Sequence, residues 1–192
     1  MSNNKTILRI YCHEPREFDS HATPEELDRV QATISLWAPD EPYEVIFSDA
    51  ISPIRIRDYV KTVMSNGCCT HPCTLAEQAV DELGNHQWLG EIKTPEFLTA
   101  VESGLTALQA IDEVFSHKQI MRWEKRAAFA ISTLLDDIYL KGLSIGLGWG
   151  TNPFLPLAAR GLGWKGVLPL EEFGYIDFIY LHNSGKPTVM LP

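Results

Sequence analysis

The stretch YIDFIYLHNSGKPTVML, residues 175–191, contains two runs of β-branched and aromatic residues separated by a turn sequence. The first run is residues 175–182, the second is residues 187–191, and NSGK lies between them. Asparagine and glycine adopt the backbone conformations of tight turns, so the stretch predicts a β-hairpin. A similar run, KTILRIYC at residues 5–12, predicts a strand near the other end of the sequence.

Helical patterns dominate the sequence between these strands. Thr23, Pro24 and Glu26 match a helix start, because an N-cap threonine, a first-turn proline and a glutamate three residues after the cap suit its free N–H groups. Apolar residues continue at helical spacing to Trp37, and Pro39 ends the helix. The same reasoning predicts helices at residues 52–67, 74–84, 94–115 and 116–142, the last two separate or continuous, and a second strand at 43–48.

The order of these elements predicts an α+β fold. Strands occur near both ends and helices lie between them, so we expect central helices packed with a small, mostly antiparallel sheet. The N-terminal strand and the C-terminal hairpin would form that sheet. A length of 192 residues suits one domain with a sizeable core, and residues 1–192 are therefore predicted to form a single globular α+β domain.

The charge balance and the N-terminal sequence predict the protein's surroundings. The formal net charge is −9, with the acidic residues spread along the chain, which disfavours direct nucleic-acid binding and favours a basic protein partner. The N-terminus lacks the long apolar core of a secretory signal, which predicts a cytoplasmic protein. Residues 142–159 carry no charge, but Gly, Asn and Pro interrupt them, so no membrane span is expected.

Three of the four cysteines lie in the turn-like stretch SNGCCTHPCTLAEQ, residues 65–78, between two predicted helices. Cys69, Cys73, His86 and Glu91 are spaced in a way that imitates a zinc finger, with a carboxylate in place of the last histidine. The imitation is incomplete, because the second histidine is missing. A bound zinc ion is therefore an alternative reading, and the leading expectation is that the protein needs no cofactor.

A reactive thiol is the second reading of this cysteine turn, Cys68 to Cys73. Cys73 precedes Thr74, the predicted N-cap of a helix, and a helix N-terminus lowers the pKa of a nearby thiol. His71 is close in sequence and would serve as its base, although Pro72 forces an extended backbone between the two. Cys73 and His71 are therefore the candidate catalytic residues if the protein is an enzyme.

The segment 142–175 is rich in glycine and aromatic residues and has no strong helical or strand period, apart from one short predicted helix at 155–160. It either covers the helices, which is the commoner role because large aromatic residues usually bury themselves, or presents an apolar binding surface. Since the sequence holds no complete catalytic constellation, the leading functional hypothesis is a non-catalytic accessory or inhibitory subunit that binds a protein partner through this segment. The alternative is a cysteine-dependent or zinc-containing enzyme using the cysteine turn. The candidate partner-binding residues are Trp149, Phe154, Trp164, Phe173 and Tyr175.

Overall fold

The computed structural model describes residues 5–13, 21–37, 43–47, 53–65, 74–75, 90–151, 153–166, 175–182, 185 and 187–190. Its six strands are β1 Lys5–His13, β2 Tyr43–Phe47, β3 Thr74–Leu75, β4 Ile145–Thr151, β5 Tyr175–Leu181 and β6 Pro187–Met190. Its principal helices are α1 Pro24–Trp37, α2 Pro53–Ser65, α3 Pro95–Glu102, α4 Ala107–Val114, α5 His117–Leu140 and α6 Phe154–Gly161.

All six strands join one mixed sheet in the order β3-β2-β4-β1-β5-β6. The predicted α+β class is confirmed, and β1 pairs with β5 of the C-terminal hairpin as expected. The composition of the sheet differs from the prediction. β3, β2, β4 and β1 are parallel neighbours, and the antiparallel pairs are β1 with β5 and β5 with β6.

The strand missing from the sequence reading is β4, Ile145–Thr151, which lies in the segment predicted to be irregular. Its sequence IGLGWGT is poor in strand-forming residues, but the strand is hydrogen-bonded on both sides, to β1 and to β2. Gly146 suits this position, because a Cβ here would collide with Cδ1 of the buried Ile138 in α5, which would have to shift. Tertiary packing therefore outweighs the low strand propensity of glycine.

The helical region is divided as its capping residues indicate. Ser116 and Gln119 form a capping box at the start of α5, which confirms a boundary at this position. The predicted helix at 94–115 is two helices, α3 and α4, because Gly104 adopts a φ of 100° and Thr106 starts a new capping box with Gln109.

The 24-residue helix α5 packs on one face of the sheet and also against α6. Its residues Trp123, Ile131 and Leu135 share a buried cluster with Leu8 of β1 and Phe178 of β5. The crossovers from β1 to β2 and from β2 to β3 run in one direction across the sheet, and the connection back to β4 runs in the other. Since such crossovers are right-handed, α1 and α2 belong to the face opposite α5. Within the described part of the chain, no helix is both long and apolar enough to cross a membrane.

Candidate active site

The sheet topology predicts a ligand-binding crevice at the carboxyl ends of β1 and β4. These two strands are parallel neighbours, but the chain leaves β1 toward β2 and leaves β4 toward β5, in opposite directions. In open sheets with parallel strands, ligands bind where the connections diverge in this way, outside the carboxyl ends of the strands. The last residue pairs of the β1/β4 ladder are therefore the candidates for a functional site.

The final pair of this ladder is His13 of β1 with Thr151 of β4. Tyr11 pairs with Trp149 and Cys12 with Gly150 just before it. His13 thus ends its strand at the divergence point, and a histidine can act as a base, an acid or a nucleophile near neutral pH. The sequence reading did not select His13 as a site residue. The signal that could have found it is a histidine as the last residue of a strand, which becomes informative only with the strand order.

Helix α6 begins three residues after the carboxyl end of β4, at Phe154. Pro153 is the N-cap residue, and its side chain makes no hydrogen bond to this helix end. Leu155 and Leu157 are fully buried, so the first turn is held firmly against the core. The N-terminal end of a helix carries a partial positive charge, which favours an anion in front of it.

A buried arginine lies at the same edge of the sheet, in the helix that follows β2, the neighbour of β4. Phe47 ends β2, and α2 begins at Pro53 and runs back along the sheet, which puts its first turn near the carboxyl ends of the strands. Arg55 is in that first turn and only 2% exposed. Tyr59, one turn later, is also buried, so both side chains lie on the inner face of α2. Guanidinium groups at such positions are suited to phosphate or carboxylate recognition.

On the β5 side, four side chains form a cluster below the crevice. Arg9 donates two hydrogen bonds to Asp177, with Nε to Oδ1 and Nη2 to Oδ2 both 2.7 Å. Its guanidinium carbon lies 4.0 Å from the centre of the Tyr175 ring, and the rings of Tyr175 and Tyr11 are 5.5 Å apart. Burial raises the pKa of Tyr11 to about 12, with Arg9 opposing part of the shift, so Tyr11 is neutral at physiological pH.

The described members of the five predicted partner-binding residues lie on several different elements. Phe154 is fully buried in α6, and Trp164 is half-buried and packs against the main core. Trp149 lies within β4, and Tyr175 begins β5 beside Tyr11. Phe173 lies outside the described residues. A binding role for these residues stays a prediction, but Phe154 is not available to a partner in this structure.

The cysteine turn lies outside the described residues, as do His71, Cys73 and His86. Thr74 begins strand β3 and pairs with Glu44, so it is not the N-cap of a helix as predicted. Glu91 accepts hydrogen bonds from Arg122 and from Nε1 of Trp123. Across the described parts of the chain, no three His, Cys, Asp or Glu residues come together in a way that could hold a metal ion.

Comparison with solved structures shows where else this fold occurs. The chain is similar to phosphoglycerate mutase from Bacillus anthracis str. Sterne, with a TM-score of 0.61 and 14% sequence identity over 100% of this chain and 94% of that chain. A phosphoserine phosphatase mutant from Entamoeba histolytica, in complex with phosphoserine, gives 0.50 and 14% over 97% and 94%. A mycobacterial glucosyl-3-phosphoglycerate phosphatase, in complex with VO3, gives 0.50 and 9% over 97% and 96%.

At these identities the likeness shows a shared fold alone. No protein-family model matches the chain, and no curated protein matches it in sequence. The chain therefore has the fold of phosphoglycerate mutase and of these phosphatases, and its own residues must carry any further conclusion.

This fold overturns the prediction of a non-catalytic accessory or inhibitory subunit. The solved chains that share it are a mutase and phosphatases, and the described part of residues 142–175 supplies the regular elements β4 and α6. The zinc alternative is wrong as well, because the solved chains with this fold are a mutase and phosphatases, and within the described residues no group could hold a metal ion. A reaction at Cys73 and His71 stays a prediction, since both lie outside the described residues.

Proposed function

We propose that the protein is an enzyme that removes or transfers the phosphoryl group of a phosphate monoester, with His13 as the nucleophile. The observation that carries this proposal is the strand register, which puts His13 opposite Thr151 as the last pair of the β1/β4 ladder, at the divergence point of the sheet. The fold is shared with enzymes named for reactions of phosphate esters, which supports this class of substrate.

The chemistry is a two-step displacement. A ring nitrogen of His13 attacks phosphorus, so that an N–P bond forms while the P–O bond to the leaving group breaks and its electron pair departs with the oxygen. Water, or a second alcohol, then attacks phosphorus through its oxygen and loses its proton to solvent, while the N–P bond breaks and its electron pair returns to the ring nitrogen, which restores the imidazole. A histidine serves both steps because its neutral ring is nucleophilic near pH 7.

Arg55 and the N-terminus of α6 are the groups we assign to phosphate binding. Arg55 supplies a fixed positive charge from the first turn of α2, and the N-terminal end of α6, directly after β4, carries the partial positive charge of a helix end. Both favour an anion, and neither depends on a metal. Arg55→Lys keeps the charge but loses the two-pronged geometry, so we expect KM to rise about tenfold with a smaller change in kcat.

The choice of test substrate follows from the end of β4. Trp149, Gly150 and Thr151 include no acid that could protonate a departing alkoxide. An aryl phosphate such as 4-nitrophenyl phosphate needs no such proton, because its leaving group is a stable anion. It is therefore the most sensitive first substrate, and release of 4-nitrophenol reports the reaction directly.

The test compares wild type with His13→Ala, using His117→Ala as control because His117 is an exposed residue at the start of α5. We expect His13→Ala to lower kcat at least about a hundredfold and His117→Ala to leave it unchanged. With ³²P-labelled substrate, quenched wild type should hold a label that is stable in base and labile in acid, as phosphohistidine is. Full activity in His13→Ala, or no turnover and no label in wild type, would overturn the proposal.

A further inference from the structure

Tyr175 lies at the same edge of the sheet as His13, although the two residues are far apart in sequence. β5 runs antiparallel to β1, so its first residue lies near the carboxyl end of β1, and the register pairs Tyr175 with Tyr11. His13 is two residues beyond Tyr11 on β1, which corresponds to about 7 Å along a strand. Tyr175 is thus a neighbour of the crevice on the β5 side.

The exposure of β5 changes abruptly at this residue. Tyr175 is half-buried, and the four residues that follow it, 176–179, are buried. Tyr175, an aromatic residue, is therefore the partly exposed residue of β5 at the end next to the carboxyl end of β1. An exposed aromatic surface at a crevice can contact a ligand, whereas the buried residues after it can only support the sheet.

The ring of Tyr175 is also held in place from within the sheet. Arg9 lies against the ring at 4.0 Å and is itself fixed by two hydrogen bonds to Asp177. The centres of the Tyr11 and Tyr175 rings are 5.5 Å apart, with an angle of 60° between the ring planes. A ring fixed in this way loses little conformational entropy when a ligand contacts it, which makes it an effective wall of a binding site.

We propose that Tyr175 contacts the leaving group of the substrate and that it favours flat, apolar leaving groups over small polar ones. The proposal rests on the function assigned above, because it presumes a phosphate ester bound at His13. A planar leaving group gains contact with the ring of Tyr175, and a short polyol does not. Arg9 and Asp177 are positioning residues, because they act on the substrate through Tyr175.

The experiment measures one ratio, kcat/KM for 1-naphthyl phosphate divided by kcat/KM for glycerol 1-phosphate, in wild type and three variants. Tyr175→Leu removes the ring, and Tyr175→Phe keeps it. Tyr180→Leu is the matched control, a half-buried tyrosine of the same strand that lies against His182 at the far end. We expect the ratio to fall about fivefold in Tyr175→Leu and to stay within about twofold of wild type in the other two variants.

The possible results separate this inference from the proposed function. If both substrates are hydrolysed and the ratio is the same in wild type and Tyr175→Leu, the role of Tyr175 is refuted and the role of His13 is not. If neither substrate is hydrolysed by wild type, the proposed function fails and this inference fails with it. A fall in the ratio that also appears in Tyr175→Phe or Tyr180→Leu would show a general effect on the sheet, and would refute a contact made by the ring.

Discussion

Nζ of Lys141 lies 2.7 Å from Oε1 of Glu44, and this ion pair joins the C-terminal end of α5 to the buried start of β2. Glu44 has only 4% of its side chain exposed, whereas Lys141 has 43%. Partial burial opposes ionisation of the lysine, but hydrogen bonds to Asp137 and Glu44 outweigh it and raise the pKa of Lys141. The lysine therefore compensates a carboxylate that water reaches poorly.

Removing this lysine should destabilise the protein. In Lys141→Met the carboxylate of Glu44 stays buried without its cation, and we expect the free energy of unfolding to fall by about 2 kcal/mol. Asp137→Asn is the control, because Asp137 contacts the same lysine from an exposed position and should cost no more than about 0.5 kcal/mol. Urea unfolding measures both. Equal losses in the two variants would contradict a special role for the buried carboxylate.

The second prediction concerns acid stability and the contact between α1 and α2. Desolvation opposes ionisation of Asp58, but hydrogen bonds from His21 and from the backbone of Ala22 outweigh it and lower the pKa of Asp58. A carboxyl group with a lowered pKa stabilises the fold above its unfolded pKa, about 3.9, and loses that contribution as the pH falls through the lower folded value.

Asp58→Asn should therefore reduce the acid sensitivity of the protein. We expect the loss of stability between pH 6 and pH 3 to be smaller in the variant than in wild type, as measured by urea midpoints at the two pH values. Asp136→Asn is the control, since Asp136 is an exposed residue of α5. An acid response in Asp58→Asn equal to that of wild type would be evidence against the inferred contribution of Asp58.

The third prediction concerns alkaline pH and Tyr11. Its pKa of about 12 lies above the value of about 10 expected in the unfolded chain, so the folded state holds the phenolic proton more tightly. The corresponding stability is present below about pH 10 and is lost as the pH rises toward 12. Tyr11→Phe lacks this proton, and its unfolding free energy should fall less steeply over that range than that of wild type. Parallel curves for the two proteins would contradict burial of an ionisable Tyr11.

The fourth prediction tests the packing of α5 on the sheet. A Cβ at position 146 would collide with Cδ1 of Ile138, so Gly146→Ala should cost about 2 kcal/mol. Ile138→Val removes that methyl group, and the double variant should recover about half of the loss. Gly90→Ala is the control, because a Cβ added at Gly90 would meet nothing within 4 Å. Thermal unfolding of the four variants measures the coupling, and strictly additive effects would argue against this contact.

Local signals in the sequence predicted much of the fold. The capping box of Ser116 and Gln119 marks the start of α5, and the hairpin of β5 and β6 has an unambiguous turn. β4 was not predicted, because glycine has a low strand propensity and the close approach of α5 at Gly146 is not visible in the sequence. The strand Thr74–Leu75 was read as a helix start, since threonine suits both roles and its pairing with β2 is not visible locally.

The candidate site could not be predicted because it is a property of strand order. His13, Thr151 and Tyr175 come from three strands, and no spacing in the sequence connects them. The sequence instead pointed to the cysteine turn, because three cysteines and a histidine lie within six consecutive residues there. A short motif can be recognised in the sequence, whereas a site between diverging connections can be recognised only once the order of the strands in the sheet is known.

Two glycines at the contacts of α5 restrict which residues these positions can accept. At Gly146 and at Gly161 the requirement is the absence of a side chain, since an added Cβ would meet Ile138 in one case and the backbone oxygen of Glu124 in the other. At Gly161 the atom that would be met belongs to the backbone, so a side chain there could be accommodated only if α5 and α6 moved apart. The spacing of these two helices therefore limits which residues position 161 can accept.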